Sequence, residues 1–365
     1  MRIPLMNIFN RKPILLFTLS NSNGIKVQIT NYGAKIVSAF VPDRNGKFEN
    51  VVLGYTSLDH YLKGHPYLGA TIGRVTNRIG NAKFEMDGHV YHLAKNHGEH
   101  HIHGGFVGFD SLHWEVTENK VNEEIPSVEF QIISPDGEQG YPGNITVKVR
   151  YSLLNDNSLK VDYTAITDKP TIVNMTNHAY FNLNHDSSEN IYKHKAKFLA
   201  SSYLEADINS IPSGRTLKVD STPLDFRQAK EIGLEINNPV EPILRIGGYD
   251  QFLILDNYQK GEMNLMAEIE EPVSGRILQV LSTLPGMQFY SSNFLDTIFP
   301  MNNGKVSPSK HSSFCIEPSY FPDAPNHPEF QSIRLNVDES YNETIVYKFL
   351  TDNECSRMTN LERRT

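Results

Sequence analysis

Period-two alternation is the feature that most constrains this chain. Ile25, Val27 and Ile29 alternate with polar residues, as do Val128, Phe130 and Ile132. Longer runs follow: Ile145, Val147, Val149 and Tyr151, then Leu159, Val161, Tyr163 and Ala165. Successive side chains of a strand point to opposite faces, so this spacing puts one face in a core and the other toward water. Turn signals separate the runs: Asp43-Arg44-Asn45-Gly46, Asp87-Gly88, Pro135-Asp136-Gly137 and Asn155-Asp156-Asn157. Asp87-Gly88, flanked by Phe84-Glu85-Met86 and His89-Val90-Tyr91, predicts a two-residue hairpin. Helical spacing is brief, over Ser57–Leu62 and Phe226–Ile232. The expectation is all-β: a large antiparallel β-sandwich with a few short helices. A closed barrel has the same periodicity.

Length alone would allow two domains of roughly 150 residues. With no linker and no shift in composition, residues 1–350 read as one domain. Residues 351–365 lack an apolar pattern and read as a loose tail. The 34 basic residues against 42 acidic give a net charge of −8, which disfavours nucleic-acid partners because these need a basic face. Two cysteines, Cys315 and Cys355, cannot build a disulfide scaffold or a thiolate zinc site alone. No run approaches the roughly 20 apolar residues of a membrane span. Asn7, Asn10, Arg11, Lys12 and Pro13 interrupt the apolar N-terminus, so no secretory signal is read and the cytoplasm is the expected compartment.

Four constellations could carry chemistry. The first is histidine-rich: NHGEHHIHGGFVGFDSLHW, residues 96–114. His101 and His103, two apart on a strand, would share a face as metal ligands do. No carboxylate follows within a few residues, so no metal is expected; His97, His100 and His101 read as loop residues. Gly104-Gly105 suggests instead a backbone that comes close to a ligand, with the His103 imidazole beside it. The second is Gly73-Arg74-Val75-Thr76-Asn77-Arg78-Ile79-Gly80. A turn at Gly80 could bring Asn77 and Arg78 to one site, and their planar donors suit a polyol or a carboxylate. The third is Asn174-Met175-Thr176-Asn177-His178-Ala179-Tyr180-Phe181-Asn182-Leu183, too polar for core and too aromatic for a plain loop. The fourth is Phe314-Cys315-Ile316-Glu317-Pro318, an apolar strand in which Cys315 and Glu317 face one way. A half-buried Glu either pairs with a cation or has its pKa raised, and either state serves proton transfer.

Taken in order, GRVTNRIG, HIHGG-x-x-GFD-x-x-x-W, VNMTNHAYFNL, Gly248-Tyr249-Asp250, PGMQFYSSNFLD and CIEPSYFPDAPN resemble the motifs of the aldose 1-epimerase (galactose mutarotase) family. The resemblance runs from about Thr18 to about Leu350. It implies a galactose mutarotase-like β-sandwich and cofactor-free interconversion of the α and β anomers of a free aldohexose, galactose or glucose. It implies Glu317 as general base, His178 as general acid and His103 as a second active-site histidine. It implies Asn77, Arg78, Asp250 and Gln288 as sugar-binding residues. Trp114 and Phe181 are candidates to stack on the sugar. The sequence departs from the family at Pro318-Ser319 and at Leu284, which bears on sugar preference more than on catalysis. Two other readings remain: a hexose 6-phosphate epimerase, which would need a cationic pocket, and a sugar-binding module without catalysis. A monomer or homodimer is expected.

Overall fold

The alternating runs pair with one another. In the computed structural model, residues 13–65, 67–184, 189–295, 299–304 and 309–355 are described. The interrupted N-terminal segment, where no signal is read, lies outside them up to residue 12. Nine antiparallel strands form the largest sheet, in the order Glu115–Lys120, Ser127–Ser134, Ile145–Leu153, Ser158–Thr167, Tyr341–Thr351, Arg276–Ser282, Asn264–Glu271, Lys195–Phe198 and Lys230–Glu231. Its inward residues are the ones the alternation picks out: Val128, Phe130, Val147, Val149, Tyr151, Val161 and Tyr163 are fully buried. A four-stranded sheet, Leu16–Ser20 to Phe48–Asn50, carries Val27 and Ile29 into the same core. Each large side chain so buried contributes roughly 1.5–3 kcal/mol. Asp87 and Gly88 both take positive φ, 55° and 73°, as a type I′ turn between Lys83–Met86 and His89–His92 requires.

A five-stranded antiparallel sheet completes the sandwich and positions the site. Its order is Pro212–Lys218, Ser202–Ala206, Asp250–Ile254, Gly286–Tyr290 and Cys315–Ser319. Residues directly opposite one another share a face, and here Asp250 opposes Tyr290, Phe252 opposes Gln288, Tyr290 opposes Cys315, and Gln288 opposes Glu317. The other face carries Leu253, Met287, Phe289 and Ile316, all in the core. Phe289 meets Phe198 of the nine-stranded sheet edge-on, with ring centroids 4.9 Å apart. One face is thus greasy and packed, while the opposite face collects Asp250, Gln288 and Glu317. Pro318 is tolerated because Cys315–Ser319 is the edge strand.

One expectation needs correction. Leu58–Tyr61 is a short helix, capped by the Ser57 hydroxyl, but Phe226–Glu231 is not helical, and Ile232 only opens a 3₁₀ turn. Phe226 is held in the core against Phe198, Tyr249 and Phe289, and Arg227 folds back bidentate onto Asp225, which fixes a turn instead. Of the stretch read as a tail, residues 351–355 are described. Thr351 ends a strand, residues 352–355 make a helical turn, and the Asp352 backbone N–H donates to Gly275. Residues 356–365 lie outside the described part.

Candidate active site

Three segments converge on the polar face of the five-stranded sheet. The first is the edge strand itself, which presents Glu317. The second is Thr176–His178, which pairs with Ala70–Ile72; an antiparallel bridge from Phe181 to Phe314 then draws it alongside the edge strand. His178 Nε2 consequently lies 3.5 Å from Glu317 Oε1, and each residue is only 4 % exposed. Tyr67 and Tyr180 stack on the His178 ring, at 5.9 and 4.9 Å between centroids, and fix its plane.

The third segment is Gly73–Gly80. Alternation breaks here because Asn77 is left-handed (φ 59°), so Asn77 and Arg78 turn toward the same site. The Asn77 side chain donates to Gln288 Oε1 (3.0 Å), and Gln288 Nε2 donates to Asp250 Oδ1 (2.6 Å). Arg78 lies 3.7 Å from Asp250. Asp323, in the block after Glu317, anchors this segment: its carboxylate accepts from the Gly80 N–H, and its own N–H donates to the Arg78 carbonyl. Arg74 is not a site residue. Buried, it donates to the carbonyls of Pro142, Gly143 and Ser134 and so fastens the start of the segment.

His103 is tied to Asn77 in both directions. Its N–H donates to the Asn77 carbonyl, and its Nδ1 accepts from the Asn77 N–H at 3.2 Å. Nδ1 as acceptor puts the ring proton on Nε2, where it is available to a ligand oxygen. Gly104-Gly105 does not expose backbone to a ligand as expected. A Cβ on Gly104 would sit 1.9 Å from the Gly73 carbonyl oxygen, so the glycine allows two loops to touch.

Burial sets the electrostatics. Desolvation, reinforced by the Asp250 charge and opposed by Arg78, lifts the Glu317 carboxyl well above the usual carboxylate range. Desolvation, with smaller contributions from His65 and Lys35, lowers His178 to about 3. His103 is also pushed well below its ordinary value, by burial and then by His178. The neutral form of each partner is favoured, so the one proton shared by the pair rests on Glu317. A cavity of about 510 Å³ adjoins the pair. Asn77, Arg78, Asp250 and Gln288 form one wall, and Tyr203, Leu204, Glu205, Phe252 and Arg245 contribute others. Glu317, His178 and His103 are not in that wall but adjoin the Gln288 and Asn77 that are.

All seven candidate residues therefore gather on one face of one sheet. The remaining histidines separate. His101 is fully buried, not a loop residue: its Nδ1 donates to the Ala94 carbonyl and its Nε2 accepts from the Tyr141 hydroxyl, both at 2.7 Å. His97 is exposed and His100 half-buried in a turn. His103 is left-handed (φ 50°), so it does not share a face with His101, and no metal pair forms between them. Trp114 and Phe181 are core residues and do not reach the cavity; Trp114 packs on Phe109 and donates to its carbonyl. Tyr67, Tyr180 and Tyr290, not anticipated, surround His178 instead. The i,i+2 spacing of His178 and Tyr180 was the available signal; nothing local marks Tyr67.

A buried carboxyl–imidazole pair thus lies beside a row of Asn, Gln, Asp and Arg side chains on the open face of a β-sandwich, an arrangement of the class of acid–base enzymes. The sequence profile of the aldose 1-epimerase family matches residues 15–348. The chain belongs to that family and is an isomerase. Galactose mutarotase of Rattus norvegicus is 41 % identical over 330 residues, covering 90 % of this chain and 92 % of the relative. Aldose 1-epimerase of Escherichia coli K12 is 35 % identical over 343 residues, covering 93 % and 96 %. Two crystal structures share the fold. The aldose epimerase homologue of C. elegans has a TM-score of 0.84 at 28 % identity, covering 93 % of this chain and 99 % of that one. Galactose 1-epimerase of Lactobacillus acidophilus has 0.81 at 28 %, covering 94 % and 97 %.

Proposed function

We propose that this aldose 1-epimerase acts on free galactose and glucose, with Glu317 and His178 as the base and acid of ring opening. The 3.5 Å approach of the two, buried beside the Asn77–Gln288–Asp250–Arg78 row, carries the reading. Opening a cyclic hemiacetal needs a proton taken from the anomeric hydroxyl and one given to the ring oxygen. A single positioned acid or base contributes about 10²–10⁴-fold. The pair already holds the one proton required. Sugar binding moves it from Glu317 to His178, because hydroxyl donors and Arg78 favour the carboxylate. Glu317 then takes the anomeric proton as His178 protonates the ring oxygen. The C1–C2 bond rotates, the aldehyde presents its other face, and both transfers run backward. The His103 Nε2–H steadies the ring oxygen. Asn77, Arg78, Asp250 and Gln288 hold the remaining hydroxyls.

A hexose 6-phosphate is disfavoured by the cavity's charges. Arg78 is paired with Asp250 and Arg245 with Glu241, and Glu205 and Asp207 line the same walls. We read residues 1–350 as one domain, which the family match and the continuous core support. We place the enzyme in the cytoplasm, as a monomer or homodimer. Two cysteines not joined in a disulfide suit that compartment, and among the described residues no helix is long and apolar enough to cross a membrane.

Polarimetry of freshly dissolved α-D-galactose and α-D-glucose tests the reading. Glu317→Gln and His178→Asn should each slow anomerisation by at least about 10²-fold with an unchanged far-UV spectrum. An undiminished rate in Glu317→Gln would remove Glu317 from its role, and equal inactivity of the wild type on both sugars would reject the substrates.

A further inference from the structure

Cys315 has no part in the reaction, yet its side chain lies beside both reacting partners. It sits two residues before Glu317 on the edge strand and so shares its face. A ring nitrogen of His178, Cys315 Sγ and a Glu317 carboxylate oxygen all lie within 4.8 Å of one another, and all three residues are buried. Among the described residues, no other trio of His, Cys, Asp or Glu converges in this way.

The spacing is close to that of a tetrahedral metal site. Zinc bonds of about 2.0–2.3 Å place neighbouring ligand atoms about 3.3–3.6 Å apart. The His178–Glu317 pair is already at 3.5 Å. The contacts to sulfur need to close by only about 1 Å to reach that geometry, within the reach of a rotamer adjustment. The donor set is one nitrogen, one sulfur and one oxygen. That mixture selects borderline-soft ions such as Zn²⁺ or Co²⁺ over Mg²⁺ and Ca²⁺, which want oxygen alone. A thiolate and a carboxylate together neutralise a divalent charge, so the ion would not leave a net charge buried.

We propose that His178, Cys315 and Glu317 form an inhibitory binding site for a divalent cation of the zinc class. Inhibition rests on the roles given above to Glu317 and His178; binding does not. On binding, one metal–sulfur and one metal–carboxylate bond form, and two protons leave to solvent, the thiol's and the one resting on Glu317. The His178 and Glu317 lone pairs go to the metal, and the acid–base pair is lost to the sugar.

Cobalt titration of the purified protein tests the site. Wild type and Cys355→Ser should both develop a thiolate-to-cobalt charge-transfer band and tetrahedral visible bands, which Zn²⁺ abolishes by displacement. Cys315→Ser should develop no charge-transfer band. Should Cys315→Ser fail to fold, Glu317→Gln keeps the thiol and should weaken cobalt binding at least tenfold. In polarimetry with α-D-galactose, buffered Zn²⁺ should slow the wild type at least tenfold, and EDTA should restore it. The zinc needed for half-inhibition, each variant measured against its own zinc-free rate, should rise at least tenfold in Cys315→Ser. A missing thiolate band, or one that survives Cys315→Ser, overturns the site. A normal band with undiminished mutarotation overturns the inhibition and, with it, the catalytic roles of Glu317 and His178, while leaving the site in place.

Discussion

A residue's chemistry here is set less by its type than by what surrounds it. Glu317 and His178 would titrate near 4.5 and 6.5 in water, and burial moves them apart in the opposite order, Glu317 up and His178 down to about 3. The active form carries one proton on the pair. It is lost when a second proton reaches His178 in acid, or when the only proton leaves Glu317 in alkali. With EDTA present, the alkaline limb of kcat/KM should therefore lie well above the ordinary carboxylate range. The acid limb should fall well below the 6.5 of a free imidazole. An acid limb near 6.5 would mean a solvated His178 and would discard this account. Asp250→Asn sharpens the test. The Asp250 charge helps hold Glu317 up, so removing it should shift the alkaline limb to lower pH while KM rises from the lost sugar contact. The sequence left the Glu317 shift as one of two alternatives and gave no sign of the His178 one. The residue types and their motif order were legible, but proton affinity depends on burial that only the assembled sheet supplies.

The elements show which local rules carried through and which gave way. Strict alternation placed Ile145–Leu153 and Ser158–Thr167 with the correct faces inward, because a one-residue slip would expose a whole hydrophobic row. The same rule put Cys315 and Glu317 together. It failed over Gly73–Gly80 and at His103, where left-handed residues interrupt the period and re-aim the side chains that matter. No local pattern announces such residues when they are Asn or His instead of Gly. The helix expected at Phe226 failed because core packing of one aromatic outweighed weak helical spacing. Two glycines separate the fold from the site experimentally. Gly88 is left-handed, and a methyl added there would meet nothing within 4 Å, so Gly88→Ala should cost about 1–2 kcal/mol in stability and leave mutarotation intact. Gly104 is also left-handed, but its added methyl would meet the Gly73 carbonyl at 1.9 Å and the Arg74 N–H nitrogen at 2.8 Å. Gly104→Ala should push Gly73–Gly80 away, displacing His103 and Asn77. Mutarotation should fall at least about tenfold more than in Gly88→Ala, since small misplacements at a reacting centre are costly. Equal activities for the two variants, at matched thermal stability, would show that the loop contact does not position the site.

At the scale of the whole molecule, the histidine excess becomes a matter of acid stability. Four imidazoles, His101, His103, His178 and His194, are held neutral by burial, two of them in the active site. Each would bind a proton near 6.5 in the unfolded chain but not until about 4 for His101 and His194 in the folded one. Between those values the unfolded state holds more protons, so stability falls as pH falls, and the gap from 6.5 to about 4 is worth about 3 kcal/mol per residue. Glu317 works the other way: its raised pKa means the folded state gains a proton first, so acid relieves the cost of burying it. The four histidines outnumber it, and the net expectation is loss of stability below about pH 6. His101→Gln isolates one contribution. Glutamine keeps a donor for the Ala94 carbonyl and an acceptor for the Tyr141 hydroxyl, but it does not titrate. Urea denaturation at about pH 7 and about pH 4.5 should show the wild type losing roughly 2 kcal/mol more than His101→Gln over that interval, which stops short of the folded value. The same loss in both proteins would mean that His101 is already protonated in the folded state, and its place in the acid response would pass to the other three. The acidic surface, with its net charge of −8 at neutrality, should not mask this difference, because it is common to both chains.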